Sequence, residues 1–384
     1  MDVADAIALY LLLEQQPGAY RHALEHLQSP TVAMAASVRQ WRSVGMSAAA
    51  CDRRAAWPQG RSVEAIREQW LKSLRWLESE HRGIWFDSTG NDAAAQVWPR
   101  AFAGLPKRPP LLFWEGDDST LGLPQIAIVG SRAATRAGLA QAESLAAELA
   151  RAGLTVTSGL ASGIDGAAHA GALSVDGRTL AVLGCGLDRI YPPRHQGLAQ
   201  RIVENGLLVS EFAPGSTPEP WCFPRRNKVI AALSLGVLVV EAGPASGSII
   251  TAQAAEQLSR LVWAMPGSVS SLQSRGCHGL IRTGQAKLAE TAQDVIEDAL
   301  PTLRDWYGES STALPAESAL ESPRADPGEN GRHLLEVMGW QVAAVDNLLA
   351  QAGLAADQVL MTLSELEITG WIGSVPGGYQ RLAS

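Results

Sequence analysis

The sequence predicts an α/β protein: a doubly wound parallel sheet, with a helical domain before it and a small helix-and-hairpin domain after it. Three observations carry this. Six short apolar β runs follow one another between 126 and 265, most of them closed by glycine or proline and then a helical segment. Residues 1 to about 80 instead show apolar positions at helical spacing. The final fifty or so residues give three short helical patterns and then two strand-like ones around Pro-Gly-Gly.

The helical domain is set at 1–82. Its periodic stretches are AIALYLLLEQQ and SVEAIREQWLKSLRWLESE, broken at Pro17-Gly18, Ser29-Pro30 and Pro58. Ile66, Trp70, Leu74 and Leu77 recur at helical spacing and read as a packing stripe. The central domain is set at 83–306. It opens with two short strands, IWFDS and LLFWEGD, joined in part by LPKRPP. Then come IAIV (126–129), LTVT (154–157), TLAVL (179–183), LLVS (207–210), VLVVE (237–241) and LVWAM (261–265). Near-continuous apolar runs of this kind suit strands covered on both faces. A linker is set at 307–330, where the chain is rich in Ser, Ala, Pro and Glu and poor in large apolar groups. The last domain, 331–384, has HLLEVMGW, VDNLLAQAG and ADQVLMTLSELEITG as helices and WIGSVPGGYQRL as a hairpin, the pattern of a winged helix-turn-helix.

Bulk composition narrows the function classes. Of 384 residues, 46% are apolar and 18% charged, which suits a chain that buries a large core. The net charge of −8 argues against a protein that coats duplex DNA through overall basicity, so a nucleic-acid role needs a local patch. Cys51, Cys185, Cys222 and Cys277 form no Cys-x-x-Cys pair, which argues against zinc and against a disulfide framework. The first apolar stretch is flanked by Asp2 and Asp5 rather than Lys or Arg, and no run reaches membrane-spanning length, so a cytoplasmic protein is expected.

In a doubly wound sheet ligands bind beyond the carboxyl ends of the strands, so the loops there carry the chemistry. The first gives Gly130, Ser131 and Arg132: a glycine for close backbone approach, a helix start with free N–H groups, and a cation. A dinucleotide fingerprint needs glycines at 132 and 135, where Arg132 and Thr135 stand, and no acid ends the second strand to hold a ribose. Nicotinamide and flavin cofactors are therefore not expected, and the P-loop pattern fails as well. The second loop, SGLASGIDGAAH, offers Ser162 and Gly163 to an anion. Asp165 reads as a cap, and His169 as an interior histidine before a catalytic base.

The sharpest charge is in CFPRRNKVIAALS, where Arg225, Arg226 and Lys228 follow Phe223 and no acid occurs from Pro220 to Val240. Cations at a helix start oppose its dipole, so either they are merely solvated or an anionic ligand favours them. Cations beside an aromatic suit single-stranded nucleic acid, where charges track the backbone and a base stacks on the ring. After the fifth strand, Gly247 and Ser248 precede a helix with Thr251 one turn in. A polyanion across this sheet edge accounts for all these loops together.

GSR at 130–132, SGLASGID at 158–165, FPRRNKVIAALS at 223–234, SGSIITAQAA at 246–255 and PG at 266–267 resemble the DNA-processing protein family called DprA or Smf. The resemblance covers about 84 to 300. It implies a Rossmann-like central domain, a sterile-alpha-motif-like or helix-hairpin-helix N-terminal part and a C-terminal winged helix. The role it implies is non-enzymatic: binding and protecting single-stranded DNA during natural transformation and helping to load the recombinase RecA, as a homodimer through the Rossmann-like domain. The family's pocket maps onto Arg132, Phe223, Arg225, Arg226, Asn227 and Lys228, with Ser162 and Ser248 nearby.

Departures from the family pattern shape the expectations. PGAYRHAL at 17–24 lacks the second glycine of a helix-hairpin-helix. His278 in GCHGLI stands where many relatives carry asparagine. The expected recognition helix, 356–369, holds Asp357, Glu365 and Glu367 and neither Lys nor Arg, so this domain is expected to contact protein or to be a vestige. The rival reading is a nucleoside-monophosphate glycosidase of the lysine-decarboxylase-like group. If Gly247-Ser248 aligns with the Gly-Thr of its loop, Thr251 occupies the position of the catalytic acid, which leaves no evident general acid or base.

Overall fold

A computed structural model describes residues 3–86, 102, 109–307, 326–340, 342–369, 371–375 and 377–381. The chain divides into two compact units, Met1–Pro315 and Ala316–Ser384.

The larger unit is organised by one nine-stranded sheet. In chain order its strands are β1 (Arg82–Phe86), β2 (Leu111–Gly116), β3 (Gln125–Val129), β4 (Thr155–Ser158), β5 (Thr179–Val182), β6 (Gly206–Ser210), β7 (Gly236–Val239), β8 (Leu261–Ala264) and β9 (Lys287–Leu288). Across the sheet they run β1-β2-β6-β5-β4-β3-β7-β8-β9. All neighbours from β6 to β9 are parallel, while β2 pairs antiparallel with both β1 and β6. The eight strands expected from the sequence are thus present. Two-residue β9, both of whose residues are exposed, has no apolar run to announce it.

Alternation along the strands divides the core. Ala181 and Leu208 point to one face, together with Leu173, Ala199 and Ile202 of the helices following β4 and β5. Leu180, Val182, Leu207 and Val209 point to the other, against Val229–Leu233 and Ala252. The first apolar cluster also takes in Ile7, Tyr10, Tyr20, Leu24 and Trp41, and the stripe of Ile66, Trp70, Leu74 and Leu77 packs on it. The stretches 1–82 and 83–306 therefore share one continuous core within one unit.

Strand order reverses at β3. The chain moves from β3 through β4 and β5 to β6 on one side, then crosses to β7 and β8 on the other. The helices that follow β3 and β4 pack together on one face of the sheet and the helix that follows β7 lies on the other, which leaves a crevice between their loops at the carboxyl end of the sheet.

Residues 308–325, most of the expected linker, lie outside the described residues. The helix Ala292–Tyr307 and the helix Gly328–Met338 reach into its two ends. In the smaller unit, helices Gly328–Met338, Val345–Gln351 and Ala356–Ile368 precede the antiparallel pair β10 (Ile372–Val375) and β11 (Gly378–Arg381). Leu334, Leu348, Val359, Leu363, Leu366 and Ile372 form its core. Gly378, at φ +148°, has no room for a side chain: a Cβ would lie 2.1 Å from Ala343 O. These elements make the expected winged helix.

Candidate nucleic-acid interface

The crevice at the strand-order reversal holds about 620 Å³ and is lined by Ser131, Arg132, Arg226, Asn227, Ser248 and Thr251, among others. Its loops are locked to each other by backbone contacts. Ser131 N donates to Glu241 O at 2.7 Å, and Ser131 O accepts from Ile164 N at 3.2 Å. Ser131 Oγ accepts from Ala133 N at 3.1 Å. A Cβ on Gly130 would meet the Ile164 side chain at 2.5 Å, and one on Gly163, at φ +81°, would meet Ser131 O at 2.1 Å. Both glycines are thus required by close packing between the two loops, which keeps Arg132 projecting into solvent.

The helix after β3 departs from the sequence reading. It begins only at Arg136, and its N-terminal end is filled by the protein's own carboxylate. Thr135 N donates to Glu241 Oε2 at 2.9 Å and Thr135 Oγ1 to Oε1 at 2.6 Å. Gly138 gives this carboxyl its room, since a Cβ there would sit 2.3 Å from it. The free N–H groups expected behind Gly130 are therefore not offered to a ligand; Glu241 takes the favourable end of that dipole. The helix Gly247–Gln257 is the open one. Its first turn has no acid, Ser246 caps it, and the Ser248 and Thr251 side chains line the crevice. Asn227 Nδ2 ties this end to the neighbouring helix through Gly247 O at 3.2 Å.

Arg226 and Asp165 form the crevice floor. Arg226 is 4% exposed; its Nη1 donates to Val182 O at 2.8 Å and also to Gly159 O, and its Nε donates to Asn227 Oδ1 at 3.0 Å. Asp165 Oδ2 accepts from Gly159 N at 3.2 Å and Ala161 N at 3.3 Å, so it caps the preceding loop. Burial pushes its carboxyl above the usual range, opposed first by the charge of Arg226. Burial likewise pulls the Arg226 guanidinium down, opposed by Asp165. Arg226 therefore sets the electrostatics of the floor while its own donors are largely spent on carbonyls.

Phe223 stands between the two cations. The Arg132 guanidinium lies 5.1 Å and that of Arg226 6.0 Å from its ring centroid, and the Tyr191 ring is 5.8 Å away. These groups, with Ser162 and Gly184, line a smaller adjoining cavity of about 220 Å³. The expected convergence of Arg225 and Lys228 on this site needs correction, because neither lines the crevice or the smaller cavity. At about 100° per residue, the helix Cys222–Leu233 turns 223, 226, 227 and 230 to one side and 225 and 228 to the other. Arg225 Nε donates to Glu211 Oε2 at 3.1 Å, its Nη1 to Gln15 O at 2.6 Å, and its Nη2 to the Tyr10 hydroxyl.

His169 is the interior group that the sequence suggested. It is fully buried, with Nδ1 2.7 Å from Thr179 Oγ1. That hydroxyl donates to Val156 O, so the imidazole proton must sit on Nδ1 and donate to Thr179. Burial pulls its pKa from 6.5 down to about 3. The unfolded chain thus takes up the proton first, and the stability associated with the neutral ring is complete above pH 6.5 and lost as pH falls toward 3. Between about pH 6 and 4 the protein is expected to lose ~1.4 kcal/mol more per pH unit than His169→Asn, by urea unfolding. Parallel pH profiles would place the titration elsewhere.

Sequence reasoning passed over the loop after β5, which supplies Gly184 and Tyr191. Its Gly-Cys-Gly after an apolar strand is the same signal that marked the other loops. Gln273, which also lines the crevice, had no such signal. Among the described residues no three His, Cys, Asp or Glu gather as a metal site, and no helix is long and apolar enough to cross a membrane.

A doubly wound sheet whose reversal point carries an exposed arginine, an aromatic ring and an open helix start defines a Rossmann-like protein with a polar crevice there. Residues 92–300 match the family described as DNA recombination-mediator protein A, and residues 317–378 match the DprA winged helix domain. The chain belongs to the DprA/Smf family of DNA-processing proteins. It is 40% identical over 311 residues to Protein Smf of Escherichia coli K12, across 81% of this chain and 80% of that one. It is 44% identical over 190 residues to the DNA processing protein DprA of Streptococcus pneumoniae, across 50% of this chain and 67% of the relative. The X-ray structure of the Streptococcus pneumoniae DprA superposes with a TM-score of 0.64 at 32% identity, covering 76% of this chain and 97% of that one. A structure of DNA processing protein A from Helicobacter pylori, described for its unique single-stranded DNA binding mode, gives a TM-score of 0.50 at 32% identity, over 54% and 94%.

Proposed function

We propose that this protein binds single-stranded DNA in the crevice at the strand-order reversal, protects incoming DNA in natural transformation and helps load RecA onto it. The observation that carries the reading is Arg132. It is exposed, pairs with no carboxylate among the described residues, and lies over the Phe223 ring. A phosphate held by Arg132 and the Ser248 end of its helix would leave a base within reach of that ring. The single-stranded DNA binding described for the Helicobacter pylori relative supports the same ligand. The role is one of binding. Among the described residues lining the crevice Asp165 is the one carboxylate, and its Oδ2 already accepts from two backbone N–H groups. Further parts of the proposal are a homodimer through the Rossmann-like domain, a cytoplasmic location, and the limits 1–82 and 83–306 for two parts that share one core, 307–330 for the linker and 331–384 for the last domain.

Phe223→Leu is expected to weaken oligo-dT binding by ~1–2 kcal/mol, because leucine fills space but offers no ring for a base. A loss confined to thermal stability would make Phe223 a packing residue only. The C-terminal unit is proposed to meet protein rather than duplex, since Asp357, Glu365 and Glu367 are exposed on Ala356–Ile368. A fragment spanning 326–384 is expected to give no salt-sensitive gel shift of a duplex oligonucleotide; tight, salt-sensitive binding would reverse this assignment.

A further inference from the structure

The helix Cys222–Leu233 walls a second cleft, on the side turned away from the crevice. Trp221, Pro224, Arg225 and Lys228 face it, and its far wall is the start of the helix Pro17–Leu27. The cleft holds about 600 Å³. Trp221 is 52% exposed there, and its ring is held edge-on by Phe212, the centroids 5.6 Å apart. Arg225 is neutralised by Glu211, which leaves Lys228 as an exposed cation that makes no ion pair among the described residues. An open indole beside an unpaired ammonium is the composition of a nucleotide subsite: the ring takes a base face and the cation a phosphate. Asn227 of the crevice and Lys228 of the cleft are consecutive, and a helix is only about 10 Å across, so a few nucleotides cover the distance.

We infer that a strand seated in the crevice crosses the start of this helix, places a phosphate on Lys228 and stacks a following base on Trp221. The inference rests on the single-strand reading above and extends the site to a second, separate cavity. An oligo-dT of about two or three nucleotides should occupy the crevice alone, and one of about twenty should reach Trp221 as well. In fluorescence anisotropy, Trp221→Ala is expected to weaken the long oligo-dT about tenfold and the short one less than about twofold. Trp221→Phe should recover most of the loss, whereas Trp221→Leu, which keeps an apolar contact to Phe212 but no ring, should not.

An unchanged affinity difference between the two lengths in Trp221→Ala would overturn the second subsite and leave the crevice reading standing. So would an equal loss at both lengths, which would mark Trp221 as a support for the helix. Failure of the unaltered protein to bind either length would instead remove the crevice reading, and this inference with it.

Discussion

Arg225→Met is expected to lower the stability of the larger unit by ~3–5 kcal/mol while changing its affinity for a short oligo-dT less than about twofold. The prediction follows from what the guanidinium touches. Glu211, at the end of β6, is 4% exposed, and Arg225 is its ion-pair partner at 3.1 Å. Removing the cation strands a buried carboxylate, which costs far more than the pair itself contributes. The same guanidinium lies 5.1 Å from the Phe212 ring centroid and donates to Gln15 O and to the Tyr10 hydroxyl, so it also fastens the first helices to the sheet. Methionine keeps the length and apolar stem but none of these donors. The paired change Arg225→Met with Glu211→Leu should recover most of the loss, because an apolar pair asks for no compensation. Urea unfolding and anisotropy on the same samples decide the matter. A large fall in affinity with unchanged stability would return Arg225 to the DNA site.

Arg132→Ala should show the opposite pattern. An expected loss of ~2–3 kcal/mol in oligo-dT affinity, roughly 30- to 150-fold, comes with a stability change within about 0.5 kcal/mol. The side chain is exposed, spends no donor on the protein's own carboxylates among the described residues, and is steadied by Phe223. Its removal therefore frees a phosphate without unpacking anything. The salt slope should flatten by ~0.7 for each phosphate that is no longer neutralised. Arg132→Lys should recover only part of the affinity, since an ammonium neither stacks flat on the ring nor grips a phosphate with two parallel donors. Combining Arg132→Ala with Phe223→Leu should give less than the sum of the single losses, because ring and guanidinium act as one unit.

These two arginines show where the sequence was legible and where it was not. The six apolar runs marked β3 to β8, each within one residue of its bounds except where VLVVE ran on two residues to Glu241, because strands buried on both faces leave a continuous signal. The loops carrying Gly130, Gly163 and Ser248 could be placed at one sheet edge from topology alone. The cluster of Arg225, Arg226 and Lys228 was visible, but its division between two faces depends on the helix phase and on partners far away in the chain. Gln15, which holds Arg225, is 210 positions distant. Glu241 gave the same difficulty. It looked like the end of a strand, and its partner Thr135 lies 106 positions earlier, so no local pattern could show that it fills the helix start behind Gly130. Tyr191 and Gly184, by contrast, belonged to a loop that carried the usual glycine signal.

The central claim is that the mouth of the sheet is shaped for an unpaired polynucleotide. The most direct test is the affinity of the full chain for oligo-dT and for a duplex of equal length across a salt series, with Arg132→Ala measured alongside. Tighter binding of the single strand is expected at every salt concentration, with a shallower slope in the variant. Equal affinity for strand and duplex, or identical slopes for the protein and its Arg132→Ala variant, would contradict the claim.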